Sequence, residues 1–160
     1  MYSITSESAR HPEILKLIAA LDAWQSELYP ADSNHLLDLG TIPEPALIMM
    51  VIRDQQLSAV GCGAVVLNGD GTGEMKRVYI DPTHRGQHLG EKLLAALEDE
   101  ALSRHCHTLR LETGIKQHAA LRLYAQCGYE VRPAFAPYFD DPLSLFMEKA
   151  LVADVRLAAL

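Results

Sequence analysis

The sequence predicts a mixed α/β domain, a sheet with helices on both faces, and three observations carry that expectation. Helix-like and strand-like segments alternate along the chain instead of segregating into blocks. The middle of the chain reads as an antiparallel meander of three strands, two of them joined by the turn Asn68-Gly69-Asp70-Gly71-Thr72-Gly73. The longest amphipathic run, from Gln87 to about Arg104, places Leu89, Leu93, Leu94, Leu97, Ala101 and Leu102 on one face at helical spacing.

The elements follow in order. Residues 2–5 can form a short first strand. Pro12 then opens a helix, pre-set for a first helical position, in which Ile14, Leu17, Ile18, Leu21 and Trp24 share a face. Asp32 or Ser33 can cap a second short helix that runs through Leu39, before Pro43 and Pro45 break the chain. Strands are expected at 46–53, 57–67 and 74–80, then the long helix, and then a strand at 108–113. A helix from Gln117 to Cys127 stops at Gly128, a good residue for a left-handed cap. Residues 129–135 and 143–149 close the sheet as a pair of strands.

The chain has 160 residues, 49% of them hydrophobic, which suits one domain with a buried core, and no repeat or linker marks a boundary. Residues 1–160 are therefore expected to form a single domain. Fourteen Lys and Arg against 21 Asp and Glu leave a formal net charge of -7. That balance disfavours nucleic acid, whose binding depends on neutralising phosphates, so an anionic ligand needs a local device. No apolar run approaches the roughly 20 residues that span a bilayer, and residues 1–10 lack the basic-then-apolar pattern of a secretory signal. A cytoplasmic protein without a membrane partner is expected. Cys62, Cys106 and Cys127 lack CxxC spacing, which fits reduced thiols, and the run His105-Cys106-His107 cannot converge on one ion, so no metal is expected.

One stretch carries chemistry: Val78-Tyr79-Ile80-Asp81-Pro82-Thr83-His84-Arg85-Gly86-Gln87-His88-Leu89-Gly90. It is a strand that leads through a short Gly-containing loop into a helix start, where unpaired N–H groups and a positive dipole end make an anion site. Arg85 adds a cation. Neither GxxxxGK[ST] nor GxGxxG is matched, which disfavours nucleoside triphosphates and NAD.

This stretch resembles motif A of the GCN5-related N-acetyltransferases (GNAT), with its signature of Arg or Gln, two residues, Gly, one residue, Gly or Ala. Leu109-Arg110-Leu111-Glu112-Thr113 is similar to the family's fifth strand, and Gln117, Ala120, Leu123-Tyr124 and Gly128-Tyr129 to its following helix. The resemblance covers about half the chain. It implies a mostly antiparallel sheet splayed between strands 4 and 5, with acetyl-CoA as co-substrate. It places the pantetheine arm on Val78, Tyr79 and Ile80, the pyrophosphate on Arg85, Gly86, Gln87, His88, Leu89 and Gly90, and the cofactor also against Thr113 and Gln117. His88 stands where the signature has Gly. A first-turn residue has negative φ and need not be Gly, so the expectation is an ordinary helical His88 with its imidazole toward solvent.

Acetyl transfer needs a neutral amine, a polarised thioester carbonyl and a proton for the departing thiolate. The resemblance puts Tyr124 near the sulfur as proton donor and an exposed N–H near residues 78–80 on the carbonyl. Glu74 is the first choice of base, with Glu112 in the adjacent strand as the other candidate; a solvated strand end is the competing reading of Glu74. Simple alternation puts Glu74, Lys76, Val78 and Ile80 on one face and Met75, Arg77 and Tyr79 on the other, before any bulge. The acceptor is expected against Tyr29, Asn34 and His35 of one loop, Glu112, and Tyr138 beside Asp140 and Asp141 of another, although capping and turn formation also explain those loops. Cys127, at a helix C-terminus, is a poor nucleophile, so direct attack in a ternary complex on behalf of a small-molecule primary amine is the expected reaction. Rival readings are a CoA-binding sensor without turnover and an acetyltransferase for protein amines. The apolar residues 152–160 can pack on their own domain or on a partner, and the resembling family often forms homodimers.

Overall fold

The computed structural model describes residues 1–29 and 38–151. Within them lie strands β1 (Ser3–Ser6), β2 (Leu47–Arg53), β3 (Ala59–Leu67), β4 (Thr72–Ile80), β5 (Thr108–Gly114), β6 (Glu130–Arg132) and β7 (Ser144–Ala150). Helices are α1 (Pro12–Leu28), α2 (Leu89–Ser103) and α3 (His118–Gln126). The strands form one seven-stranded sheet in the order β1-β2-β3-β4-β5-β7-β6. Every neighbouring pair is antiparallel except β4 and β5. The predicted class therefore stands, and so does the order of the strands and of helices α1, α2 and α3. The expected helix from Asp32 or Ser33 lies mostly outside the described residues, and Leu39 opens a short 3-10 turn, Leu39–Thr41, capped by the Asp38 carboxylate.

The two sheet faces carry separate cores, which the alternation of β2 feeds in turn. Ile48, Met50 and Ile52 join Leu93, Leu94 and Leu97 of α2, whereas Met49 and Val51 meet Ile14 and Leu17 of α1. Helix α1 begins as expected: His11 Nδ1 accepts a hydrogen bond from the Glu13 N–H at 3.2 Å, and Pro12 occupies the first turn. Truncating a fully buried Leu of α2 to Ala removes about 2–5 kcal/mol, a large share of a typical domain's stability.

Several boundaries differ from expectation for identifiable reasons. Strand β3 begins at Ala59 because Leu57 has φ +64°, in a turn held by Asp54 Oδ1, which accepts from the N–H groups of Gln56 and Ser58. The sixth strand was expected over 129–135 and spans only three residues. Pro133 cannot donate to a ladder, and Phe135 turns inward to stack on Tyr138 and Phe146. Helix α2 begins at Leu89, not Gln87. Gly128 has φ +95°, the left-handed stop the sequence called for.

The simple alternation along β4 fails. Tyr79 pairs with Cys62 but Lys76 pairs with Ala64, so β4 carries one extra residue, a bulge with Arg77 at φ +55°. Glu74 and Lys76 consequently face away from Val78 and Ile80. The first two meet Tyr138, on the face that α1 covers; the second two join Met75 in the α2 core. Arg77 turns toward α1, where its Nε lies 3.0 Å from Asp22 Oδ1.

Beyond the pairs Thr72–Thr108 through Met75–Leu111, β4 and β5 part. This is the splay the family resemblance implied, and it opens the sheet toward α3.

Candidate active site

The splay leads into a cleft of about 680 Å³ between the end of β4, the start of α2 and helix α3. Val78, Tyr79 and Ile80 line one wall, and Gln117 and Tyr124 line the other. Arg85, Gly86, His88, Leu89 and Gly90 form one end. Ten of the predicted cofactor and catalytic positions thus converge on one cavity. Gln87 and Thr113 do not line it. Gln87 donates to the His84 carbonyl at 3.4 Å, and the Thr113 hydroxyl donates to Gln117 Oε1 at 3.4 Å, so Thr113 touches a lining residue of the cleft without lining it. The same Oε1 accepts from Gly114 N at 2.8 Å. Gln117 is buried with its carbonyl thus engaged, and its amide NH₂ makes no hydrogen bond among the described residues.

The loop before α2 is shaped by two residues in the left-handed region, Gly86 at φ +82° and His88 at φ +59°. The expectation of negative φ at His88 is overturned: the Gly of the motif occupies a position that needs positive φ, and here a histidine adopts it at a cost of about 1 kcal/mol. The imidazole does point outward, and its Nδ1 lies 2.9 Å from Glu91 Oε2. Arg85 is held to the end of β4 by a 3.1 Å bond from its Nε to the Ile80 carbonyl, and its guanidinium lies 6.0 Å from the Tyr79 ring centroid.

Tyr124 is buried on α3 with its ring edge-on to Tyr129 at 5.9 Å. Burial pushes its hydroxyl pKa well above the usual tyrosine range, and the charge of Glu112 adds to the effect. Among the described residues the hydroxyl makes no hydrogen bond, and Tyr124 lines the cleft. Cys127 also has a raised pKa, first from burial and then from Glu98, which agrees with its dismissal as a nucleophile.

The remaining predicted residues cluster on the other face. Glu74 Oε2 accepts from Lys76 Nζ at 3.0 Å and from the Tyr138 hydroxyl, which itself accepts from Lys76 Nζ at 2.8 Å. Glu112 Oε2 accepts from Ser144 Oγ at 2.7 Å. Tyr29 is buried against Gly114, where any Cβ would collide with its hydroxyl, and that hydroxyl accepts from Lys116 N at 3.0 Å. It ties the end of α1 to the loop after β5. Asn34 and His35 lie outside the described residues.

Sequence reasoning missed Leu21, Trp24, Lys116 and Arg122 as cleft residues. Leu21 and Trp24 follow helix spacing and read as core alone, but Trp24 remains 39% exposed and faces the cleft. Arg122 lies four residues after His118 on one side of α3, a spacing that could have marked it. With Arg85 and Lys116 it makes the cleft locally cationic. Among the described residues no group of His, Cys, Asp and Glu is arranged to hold a metal, and no helix is long and apolar enough to cross a membrane.

Comparison with known proteins agrees with this architecture. The model of the Acetyltransferase (GNAT) family matches residues 9–129. An IAA acetyltransferase of Azospirillum brasilense is 44% identical over 150 residues, covering 93% of this chain and 97% of that protein. A crystal structure from Klebsiella pneumoniae subsp. pneumoniae MGH 78578, described as an acyl-CoA N-acyltransferase, is 59% identical with a TM-score of 0.87, covering 95% of this chain and 99% of that one. A Salmonella typhimurium acetyltransferase structure with its cofactor acetyl-CoA shares the fold at a TM-score of 0.65 and 22% identity, covering 94% of each chain. The chain belongs to the GNAT acetyltransferase family, and it is an acyltransferase.

Proposed function

We propose that this protein transfers the acetyl group of acetyl-CoA to a primary amine of a small molecule, by direct attack within a ternary complex. The observation that carries the reading is Tyr124: a largely buried ring whose hydroxyl makes no hydrogen bond among the described residues, in the wall of a cleft whose far end is a cationic loop and helix start. The cleft suits CoA chemically. Backbone N–H groups at the start of α2, with Arg85, take the pyrophosphate; Val78, Tyr79 and Ile80, with the Gln117 amide, take the pantetheine arm.

In the reaction the amine nitrogen forms a bond to the carbonyl carbon as the carbon–sulfur bond breaks. A strand N–H exposed by the splay near residues 78–80 stabilises the developing oxyanion. Tyr124 gives its proton to the sulfur in concert with the breaking of the carbon–sulfur bond, because a phenol of raised pKa is too weak an acid to protonate a thiolate that has already left; the same raised pKa keeps the hydroxyl protonated at neutral pH before each turnover. Glu74 receives the amine proton through the Tyr138 hydroxyl, and Lys76 Nζ, 3.0 Å from Glu74 Oε2, fixes the carboxylate in place. Glu112 lies on the same face as a second carboxylate toward the incoming amine. The phenyl rings of Phe135 and Phe146, which pack on Tyr138 at 5.2 and 5.6 Å, give this end an apolar wall. The small-molecule reading is supported by the relative from Azospirillum brasilense, which is named for action on IAA.

Incubation with acetyl-CoA and a panel of small amines is expected to release CoA thiol. Tyr124→Phe should lower kcat by about 10²-fold, within the range of a lost proton donor, with little change in CoA affinity. Tight CoA binding without thiol release from small amines, peptides or proteins would overturn the catalytic reading; release with protein amines alone would overturn the small-molecule one.

A further inference from the structure

A hydroxyl without a hydrogen bond is aimed only by what packs against its ring. For Tyr124 the aromatic neighbour, within the core cluster it belongs to, is Tyr129, edge-on at 5.9 Å with the ring planes inclined by 65°. Tyr129 is itself fixed by a polar assembly that stands outside the cleft. Its hydroxyl donates to Glu98 Oε2 at 2.9 Å. Lys149 Nζ donates to the other oxygen of the same carboxylate, Oε1, at 2.8 Å, and sits 5.6 Å from the Tyr129 ring centroid. The Glu98 side chain is only 13% exposed and that of Lys149 27%, so the pair is shielded enough to hold its geometry better than a surface ion pair does.

We infer that Lys149, Glu98 and Tyr129 are a positioning network that aims the Tyr124 hydroxyl into the cleft; the inference rests on the role given to Tyr124 above. The three residues come from separate elements. Glu98 belongs to α2, the helix whose start forms the anion end of the cleft; Lys149 belongs to β7, and Tyr129 follows α3 after the Gly128 stop. The network therefore couples the position of the proton donor to the element that holds the far end of the cofactor. Both oxygens of Glu98 are used, one on each partner, so losing either partner lets the carboxylate and the Tyr129 ring move. The chemistry is sensitive to such movement, because proton transfer needs heavy atoms within roughly 2.6–3.2 Å and a 1 Å misplacement can cost about 10²-fold in rate.

The test uses the full chain and measures thiol release and CoA binding for Tyr129→Phe, Glu98→Leu and Glu98→Gln, each alone and combined with Tyr124→Phe. CoA binding is read from the fluorescence of Trp24, the single tryptophan, which lines the cleft. Tyr129→Phe keeps the ring and loses only the hydroxyl; Glu98→Gln keeps an acceptor for it. The expected result is a kcat loss of about tenfold for Tyr129→Phe and Glu98→Leu, substantial rescue by Glu98→Gln, and CoA affinity within about twofold of the parent. In the Tyr124→Phe background the same substitutions should cost nothing further, because there is no longer a hydroxyl to aim. Equal losses in both backgrounds, or an unchanged kcat in a folded Tyr129→Phe and Glu98→Leu protein alongside a slow Tyr124→Phe, would overturn the network. A Tyr124→Phe protein as fast as the parent would instead overturn the proton-donor role itself. Should Tyr129→Phe fail to fold, the contrast between Glu98→Leu and Glu98→Gln decides the question.

Discussion

His88 shows how a single backbone angle can separate a motif from its sequence. A glycine at this place would adopt φ +59° freely; histidine is one of the few side chains that tolerate it, and here the Glu91 carboxylate holds the imidazole clear of the loop. His88→Asn should leave stability within about 0.5 kcal/mol, since Asn also tolerates the left-handed region, whereas the β-branched His88→Val should cost about 1–2 kcal/mol. Thermal melts of the two variants would check this, and a His88→Val protein as stable as the parent would contradict the left-handed conformation. Nothing in the sequence reveals the angle, because the residue stands one position before the regular helix and helix periodicity says nothing about a cap. Arg77 teaches the same lesson. Its left-handed φ creates the bulge that turns Glu74 and Lys76 away from Val78 and Ile80, and period-two counting cannot foresee an inserted residue.

At the scale of elements, the N-terminal half is laced by one arginine. Arg53, at the end of β2, donates to both oxygens of Glu7 at 2.9 and 2.7 Å and reaches Glu13 of α1 at 3.0 Å, joining the chain after β1 to the first helix. The hydrogen bonds from Arg53 hold the Glu7 carboxyl below the ordinary carboxylate range. A carboxyl whose folded pKa is depressed contributes stability that is present above its unfolded value, near 4.5, and lost as pH falls through the folded one. Glu148 behaves alike, lowered chiefly by Arg110 and also by Arg132. The denaturant midpoint should therefore hold between pH 7 and 5, fall below about pH 4.5, and fall less steeply in Glu7→Gln, which starts from a lower neutral value. A main loss between pH 7 and 5 would point to histidines instead.

The elements themselves were mostly legible. Regular periodicity over 12–28 and 89–103 and the turn 68–73 left few alternatives, and Gly128 marked its stop correctly. Shorter features escaped where one local bond decides the outcome. Asp54 keeps Leu57 out of β3, and Pro133 ends β6 after three residues. The candidate site was legible where a motif spans a strand, a loop and a helix start. It was not legible where residues distant in sequence meet: Trp24 looked like core, and the bonds among Glu98, Tyr129 and Lys149 join positions up to 51 residues apart.

For the whole molecule, the puzzle is an anionic ligand on a chain of net charge -7. The cleft answers it locally, since Arg85, Lys116 and Arg122 line it against Glu91 as its carboxylate. Opposed fields of this kind make affinity depend strongly on the few cations at the site. Arg85→Ala should weaken CoA binding about tenfold at low ionic strength, and the deficit should shrink as salt is added, since one charge-assisted contact to a phosphate contributes roughly that much. Titration of Trp24 fluorescence at two salt concentrations would measure it; an unchanged affinity would remove Arg85 from the phosphate site.

The parting of β4 from β5 also has a mechanical side. The sheet is two rafts, β1 to β4 on one hand and β5, β7 and β6 on the other, lashed together by only four rungs, from Thr72–Thr108 to Met75–Leu111. On the proposed function, an extended pantetheine arm between the free end of β4 and the wall of α3 would span the gap and supply the rungs that the backbone leaves out. Such a molecule would favour the assembled protein by mass action, and the reactant would double as a cross-brace. On that reading the protein would be hardest to pull apart while it holds the group it is about to give away.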